Sequence, residues 1–153
     1  MSPRAACRLE ALGFTQVHDY LPGKVDWLAR NLPVEGTGAD APVIGQHLRH
    51  DVVTTRPDEP IADLRARVAA SPHTFALVTT ADRILLGRLR SIHLDQMNAG
   101  TAAEVMEAGP STLRPHEPLE AVRSRLVNRD LTYAIVTDPD GRFLGTVHPD
   151  DLT

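Results

Sequence analysis

The sequence predicts an α/β (α+β) fold of two β-α-β-β-α units, preceded by a short α-β-α extension. Three observations predict it. Residues 54–94 recur as residues 112–152, 58 positions downstream and without a gap, and 15 of the 41 aligned positions are identical, far more than a chance pairing gives. Within each copy the apolar pattern changes at the same place from helical spacing to strand-like runs. The first 36 residues have no counterpart in either copy.

Taken in order, Ser2-Pro3 is a cap and first-turn pair for a helix through about Leu12, and Gly13 is its stop. Val17-His18-Asp19-Tyr20 reads as a short strand and Pro22-Gly23 as a turn. Residues 24–30 form a short helix carrying Val25, Trp27 and Leu28, ended by Asn31-Leu32-Pro33. Thr37-Gly38-Ala39-Asp40-Ala41-Pro42 is a linker by composition. The expected division is an extension at 1–36, a linker at 37–42, repeats at 43–95 and 101–153, and a connector at 96–100. A short helix over 101–106 leads into the second repeat.

Each repeat opens on a short strand, Val53-Thr54-Thr55-Arg56 and Ser111-Thr112-Leu113-Arg114. A proline pair around an acid follows, Pro57-Asp58-Glu59-Pro60 and Pro115-His116-Glu117-Pro118. Proline lacks an N–H and has a fixed φ, so Pro60 and Pro118 suit the first turn of a helix, where the dipole favours Glu59 and Glu117. Ile61, Leu64 and Val68 recur at helical spacing, as do Leu119, Val122 and Leu126, while Arg65, Arg67, Arg123 and Arg125 fall on the wet side. Two strands come next: residues 74–79 then 84–90, and residues 132–137 then 142–148. The intervening turn is clearest in Asp138-Pro139-Asp140-Gly141. Strand alternation puts Leu85, Gly87 and Leu89 on one face and Leu86, Arg88 and Arg90 on the other. A short helix closes each unit, from Ser91 and from Pro149.

Composition excludes several classes. With 42% hydrophobic residues but only 3 Phe, 2 Tyr and 1 Trp, the core is one of Leu, Val and Ala. No run of 18 apolar residues would span a membrane, and Met1-Ser2-Pro3-Arg4-Ala5-Ala6 is not a signal peptide. A net charge of −4 argues against nucleic acid as partner. The single cysteine excludes an internal disulfide and suits a reducing cytoplasm, where the protein is placed. No catalytic constellation is legible. The seven histidines are scattered; His47 and His50 alone have helical-turn spacing, without a carboxylate or Cys to complete a metal site. No phosphate-cradling glycine loop is present.

The order of elements and the repeat residues resemble the cystathionine-β-synthase (CBS) domain, a module that occurs in tandem pairs. The most specific piece is Gly145-Thr146-Val147-His148-Pro149-Asp150-Asp151, close to the family's Gly-x-apolar-Thr/Ser-x-x-Asp pattern. In the first copy it reads Gly87-Arg88-Leu89-Arg90-Ser91-Ile92-His93, with the acid replaced by His93. The hydroxyl residue is lost in both, to His148 and Arg90. The resemblance implies a pseudo-twofold between the copies, a homodimer, and a regulatory role without catalysis, acting on an effector protein that the sequence does not name. It implies no required cofactor but a ligand of the adenosyl class: AMP, ADP, ATP or S-adenosylmethionine. Asp151 would bind ribose hydroxyls, and Arg90, with Arg88, His93 or His148, would hold phosphate in a shared cleft. Binding would be stronger at Asp151. The alternative is a ligand-free dimerisation or protein-interaction module whose cleft is filled by Arg and His side chains.

The extension resembles the C-terminal end of a rhodanese (sulfurtransferase) domain, through Arg8-Leu9-Glu10-Ala11-Leu12-Gly13-Phe14, then Val17-His18-Asp19-Tyr20, then Gly23-Lys24-Val25-Asp26-Trp27-Leu28 and Leu32-Pro33-Val34-Glu35-Gly36. The part matched lies after that family's catalytic loop, so the resemblance implies no sulfurtransferase activity unless upstream sequence restores the loop. Cys7, inside the predicted helix, does not match the nucleophile's position and reads as a small packed side chain.

Overall fold

A computed structural model describes residues 2–37, 39–96 and 99–152. Gly38 of the expected linker, Met97 and Asn98 of the expected connector, and the side chain of the expected cap Ser2 lie outside what is described.

The extension contains helix α1, Ser2–Ala11, and helix α2, Gly23–Ala29. Gly13, at φ +93°, ends α1: its N–H bonds the Glu10 carbonyl and the Phe14 N–H bonds that of Leu9, the Schellman pattern. The expected strand at 17–20 does not form; those residues are coil and pair with nothing in either sheet. A lone strand needs a neighbour for its backbone N–H and C=O groups, and none is supplied. Cys7 is exposed, not packed. Leu28 and Leu32 border a cavity against Pro42, Val43, His116 and Pro118, and Arg30 reaches Asp140 at 3.2 Å. The end of the extension thus docks on the second repeat, while Leu12, Phe14, Leu21 and Val25 stay exposed.

The first repeat comprises β1 (Val53–Thr55), α3 (Ile61–Ala69), β2 (Phe75–Thr79), β3 (Leu85–Arg90) and α4 (Ser91–Gln96). After it come α5 (Ala102–Val105), capped by a Thr101/Glu104 box, and a two-residue strand β4 (Glu107–Ala108) that the sequence had not indicated. The second repeat comprises β5 (Thr112–Leu113), α6 (Leu119–Asn128), β6 (Ala134–Thr137), β7 (Phe143–Val147) and a closing 3-10 turn, Pro149–Asp151, in place of the expected helix. Pro60 and Pro118 sit one residue earlier than expected, as extended N-caps of α3 and α6. Arg67 and Arg125 are not simply solvated: they fold back onto Glu59 at 2.5 Å and Glu117 at 2.9 Å, an ion pair repeated in both units.

The sheets have orders β1-β2-β3-β4 and β5-β6-β7. In each, the first pair is parallel and the second antiparallel. Ala76, Val78 and Leu89 pack under α3 with Ile61, Leu64 and Val68. Val136 and Val147 pack under α6 with Leu119, Val122 and Leu126. The opposite faces meet each other, burying Val52, Phe75, Leu77, Ile135 and Phe143 with Leu85 and Tyr133. Leu85 therefore does not share a face with Gly87 and Leu89 as alternation predicted. A bulge at Leu86 opposes Thr79 to Leu85 and Val78 to Gly87; the second repeat has the same bulge at Leu144. One extra residue reverses the facing of everything before it.

Equivalent residues meet across the interface. Phe75 stacks on Tyr133 with ring centroids 3.9 Å apart, and Ile84 bridges to Arg142; both pairs are 58 positions apart, as a pseudo-twofold requires. The same symmetry exchanges the segments that lead into the repeats. Val43 pairs with Pro118 and Thr101 with Pro60; Arg49 pairs with Thr146 on β7, as Glu107 pairs with Arg88 on β3. Each repeat's lead-in thus completes the sheet edge of the other.

Candidate functional site at the repeat junction

The motif glycines explain how the exchanged segments reach their places. A Cβ on Gly145 would lie 2.7 Å from the Arg49 carbonyl oxygen and 3.0 Å from the Leu48 Cβ. A Cβ on Gly87 would meet the Met106 side chain at 2.5 Å and the Glu107 carbonyl at 2.9 Å. Glycine lets backbone lie on backbone, and that brings Arg49 and Glu107 over the motif residues.

Two polar clusters result, at pseudo-equivalent positions and of opposite polarity. In the first, Glu107 accepts from Arg88 (Nε 3.2 Å, Nη2 2.6 Å) and from Arg90, and His93 Nε2 stands 3.6 Å away. Arg88 also donates to the Tyr133 hydroxyl at 3.2 Å. In the second, Arg49 binds Asp151 bidentately at 2.5 and 2.7 Å. His148 lies beside it, 3.4 Å from the Thr146 hydroxyl, its ring 5.6 Å from His73 and 6.2 Å from Tyr133. Hydrogen bonds from Arg88 and Arg90 hold the Glu107 carboxyl below its ordinary pKa, and those from Arg49 do the same for Asp151. Burial, with Arg49 adding to it, pushes the His148 imidazole down.

Arg90 and Asp151, expected to line one cleft, each pair with a residue of an exchanged lead-in. Arg88, Arg90 and His93 gather on Glu107, and both oxygens of Asp151 are engaged by Arg49. The motif alone could not reveal this, because both neutralising residues come from the exchanged lead-ins. A signal existed: Arg49 and Glu107 are also 58 apart, and each carries the charge opposite to its partner.

Beside the first cluster is a cavity of about 470 Å³. Its apolar wall includes Leu113, Leu126, Tyr133 and Ile135; Arg88, Arg125 and Arg129 supply the cationic side, and Ser111 and Thr112 hydroxyls. Sequence reasoning missed Arg125, Arg129 and Tyr133 as lining residues. A second hollow of about 300 Å³ lies beside His73, between α3 and α4. Among the described residues no three His, Cys, Asp or Glu side chains gather as a metal site requires, and no helix is long and apolar enough to cross a membrane.

The two carboxylates give the fold a predictable acid limb. A carboxyl whose folded pKa is depressed contributes stability above its unfolded value, lost as pH falls through the folded one. Melting temperature should therefore fall steeply below about pH 4, after a shallower decline that begins below about 6.5, where the unfolded chain protonates His148 more readily than the folded one. The double variant Glu107→Gln/Asp151→Asn should show a shallower fall, modest because both pairs are partly solvated. An acid limb as steep as that of the parent would show that the two pairs do not contribute.

Two sheets packed about a pseudo-twofold, each completed by the other's lead-in, define the fold of a tandem CBS pair. The family model for the CBS domain matches residues 102–153, the second repeat. The CBS domains of a transcriptional regulator from Streptococcus pneumoniae superpose with a TM-score of 0.65 at 15% identity, over 74% of this chain and 98% of that one. CBSX2 of Arabidopsis thaliana in complex with AMP gives 0.62 at 16%, over 72% and 92%. The cytosolic domain of the Mg2+ channel MgtE in complex with ATP gives 0.60 at 21%, over 69% of this chain but only 45% of that one. Such identities establish the fold. No curated protein matches.

Proposed function

We propose that this chain is a non-catalytic regulatory module that binds an adenosyl ligand, such as AMP, ADP, ATP or S-adenosylmethionine, between its two repeats. The observation that carries this is the cavity of about 470 Å³, within the roughly 300–1,000 Å³ of small-molecule sites, with Tyr133 and aliphatic side chains on one side and Arg88, Arg125 and Arg129 on the other. A planar base suits the apolar wall, and guanidinium forks suit phosphate. The AMP in CBSX2 and the ATP in the MgtE domain support the ligand class. Arg90 and His93 stand behind Arg88 as further phosphate partners. Asp151 and His148 form a second position that takes ribose hydroxyls only when Arg49 yields. The division into an extension, two repeats and a connector, the cytoplasmic setting, the resemblance of the extension to the end of a rhodanese domain and output to a separate effector chain belong to the same reading. So does a homodimer, for which Ile92 and Val127 on the outer helices are exposed, and which light scattering checks.

A thermal-shift panel followed by calorimetry tests the ligand, because a molecule that binds only the folded state raises its stability by mass action. Arg88→Ala should weaken AMP about tenfold or more, the loss of a charged hydrogen bond, and adenosine less. Asp151→Ala should bind within about threefold of the parent, since Arg49 already occupies that carboxylate. Loss of AMP binding in Asp151→Ala with Arg88→Ala unaffected would move the ligand to the other position. No response to any adenosyl ligand would favour a second reading, an interaction module. That reading draws on the internal neutralisation of both clusters, Arg49 on Asp151 and Glu107 on Arg88 and Arg90.

A further inference from the structure

The first polar cluster has more donors than its one carboxylate can serve. Arg88 and Arg90 bring two permanent charges, and His93 adds a ring nitrogen 3.6 Å from Glu107. A carboxylate has two oxygens, whereas a phosphoryl group offers three and more charge, so it suits two guanidinium forks better. Glu107 also lies at a sheet edge and is partly open to solvent. It sits on β4, a two-residue edge strand paired through Gly87–Ala108 and Arg88–Glu107, with the Gly109 N–H on the Leu86 carbonyl just beyond, and its side chain is 31% exposed. The Arg88 guanidinium spans from Glu107 to the Tyr133 hydroxyl, so it forms the wall between this cluster and the cavity. The pseudo-equivalent cluster lacks this imbalance, since there one guanidinium meets one carboxylate.

We propose that the Glu107 carboxylate is an internal anion holding Arg88 and Arg90 where they would meet the phosphoryl group of a ligand in the adjoining cavity, and that the anionic group of an incoming ligand displaces it. The nucleotide identity of that ligand rests on the function proposed above; the displacement does not.

The test titrates the full chain and its Glu107→Gln and Glu107→Ala variants with inorganic pyrophosphate, AMP and adenosine. Calorimetry gives affinity, and the NMR signals of the Arg88 and Arg90 Nε–H groups give location. Removing a like charge from beside the entering anion should tighten pyrophosphate and AMP about tenfold, shift both arginine signals at lower ligand concentration, and leave adenosine within about twofold. If pyrophosphate tightens while AMP and adenosine bind none of the proteins, the displacement stands and the nucleotide reading falls. If adenosine binds but neither Glu107 variant gains affinity for pyrophosphate or AMP, the nucleotide reading stands and the displacement is overturned. A gain that survives Arg88→Ala in the Glu107→Gln background would overturn it as well, as would pyrophosphate failing to bind any variant.

Discussion

Leu77→Ala is expected to lower the stability of the whole chain by about 2–5 kcal/mol, in a transition that remains single. Leu77 is fully buried, on the face of β2 that packs with Phe75, Ile135 and Phe143 between the two sheets. Its truncation removes transfer free energy and leaves a cavity that two rigid sheets cannot collapse around. At roughly 2–4 °C per kcal/mol for a chain near this size, the melting temperature should fall by at least about 4 °C. Ile135→Ala, the equivalent change in the second repeat, should act alike. A repeat on its own would expose the whole of this face, so the two units share one core and should unfold together. Val127, 59% exposed, supplies the contrast: Val127→Ala should stay within about 0.5 kcal/mol. Two separable transitions for Leu77→Ala, one matching the unaltered second repeat, would refute a common core.

Gly145→Ala should cost about 1–3 kcal/mol, although Ala fits its backbone conformation without strain. The added Cβ would meet the Arg49 carbonyl oxygen at 2.7 Å and the Leu48 Cβ at 3.0 Å, so the lead-in of the first repeat must move away. That backbone also exchanges hydrogen bonds of 2.8 and 3.0 Å with Thr146 and carries the guanidinium that holds Asp151. The loss should therefore appear both in the melt and as a freed Asp151, whose carboxyl pKa returns upward when followed by NMR. Gly87→Ala should cost less: its nearest neighbours are the Met106 Sδ and Cγ, which can rotate aside, though the Glu107 carbonyl at 2.9 Å still resists. If Gly145→Ala melts with the parent and Asp151 titrates unchanged, the close approach is not what the glycine serves.

By itself the sequence determined the repeated unit, the faces of its helices, and the places of most strands. Each of these is local. Helical spacing in residues 61–68 and 119–126, strand-like runs, and the Pro-Glu-Pro and Asp-Gly punctuation act within a few residues of chain, and the second copy confirms the first. The bulges at Leu86 and Leu144 escaped, because an inserted residue leaves the apolar content unchanged and alters only which face it meets. The strand expected at residues 17–20 failed for a similar reason: a strand exists only with a partner, and the extension offers none. What the tertiary structure alone decided is the site. None of residues 43–53 is identical to its counterpart in 101–111, so the repeat signal ends where the lead-ins begin. Those lead-ins are nevertheless exchanged about the pseudo-twofold and bring Arg49 to Asp151 and Glu107 to Arg88 and Arg90. Motif residues could be chosen one by one along the chain; the charges that neutralise them come from across the molecule, where only the packing of the two sheets fixes who meets whom.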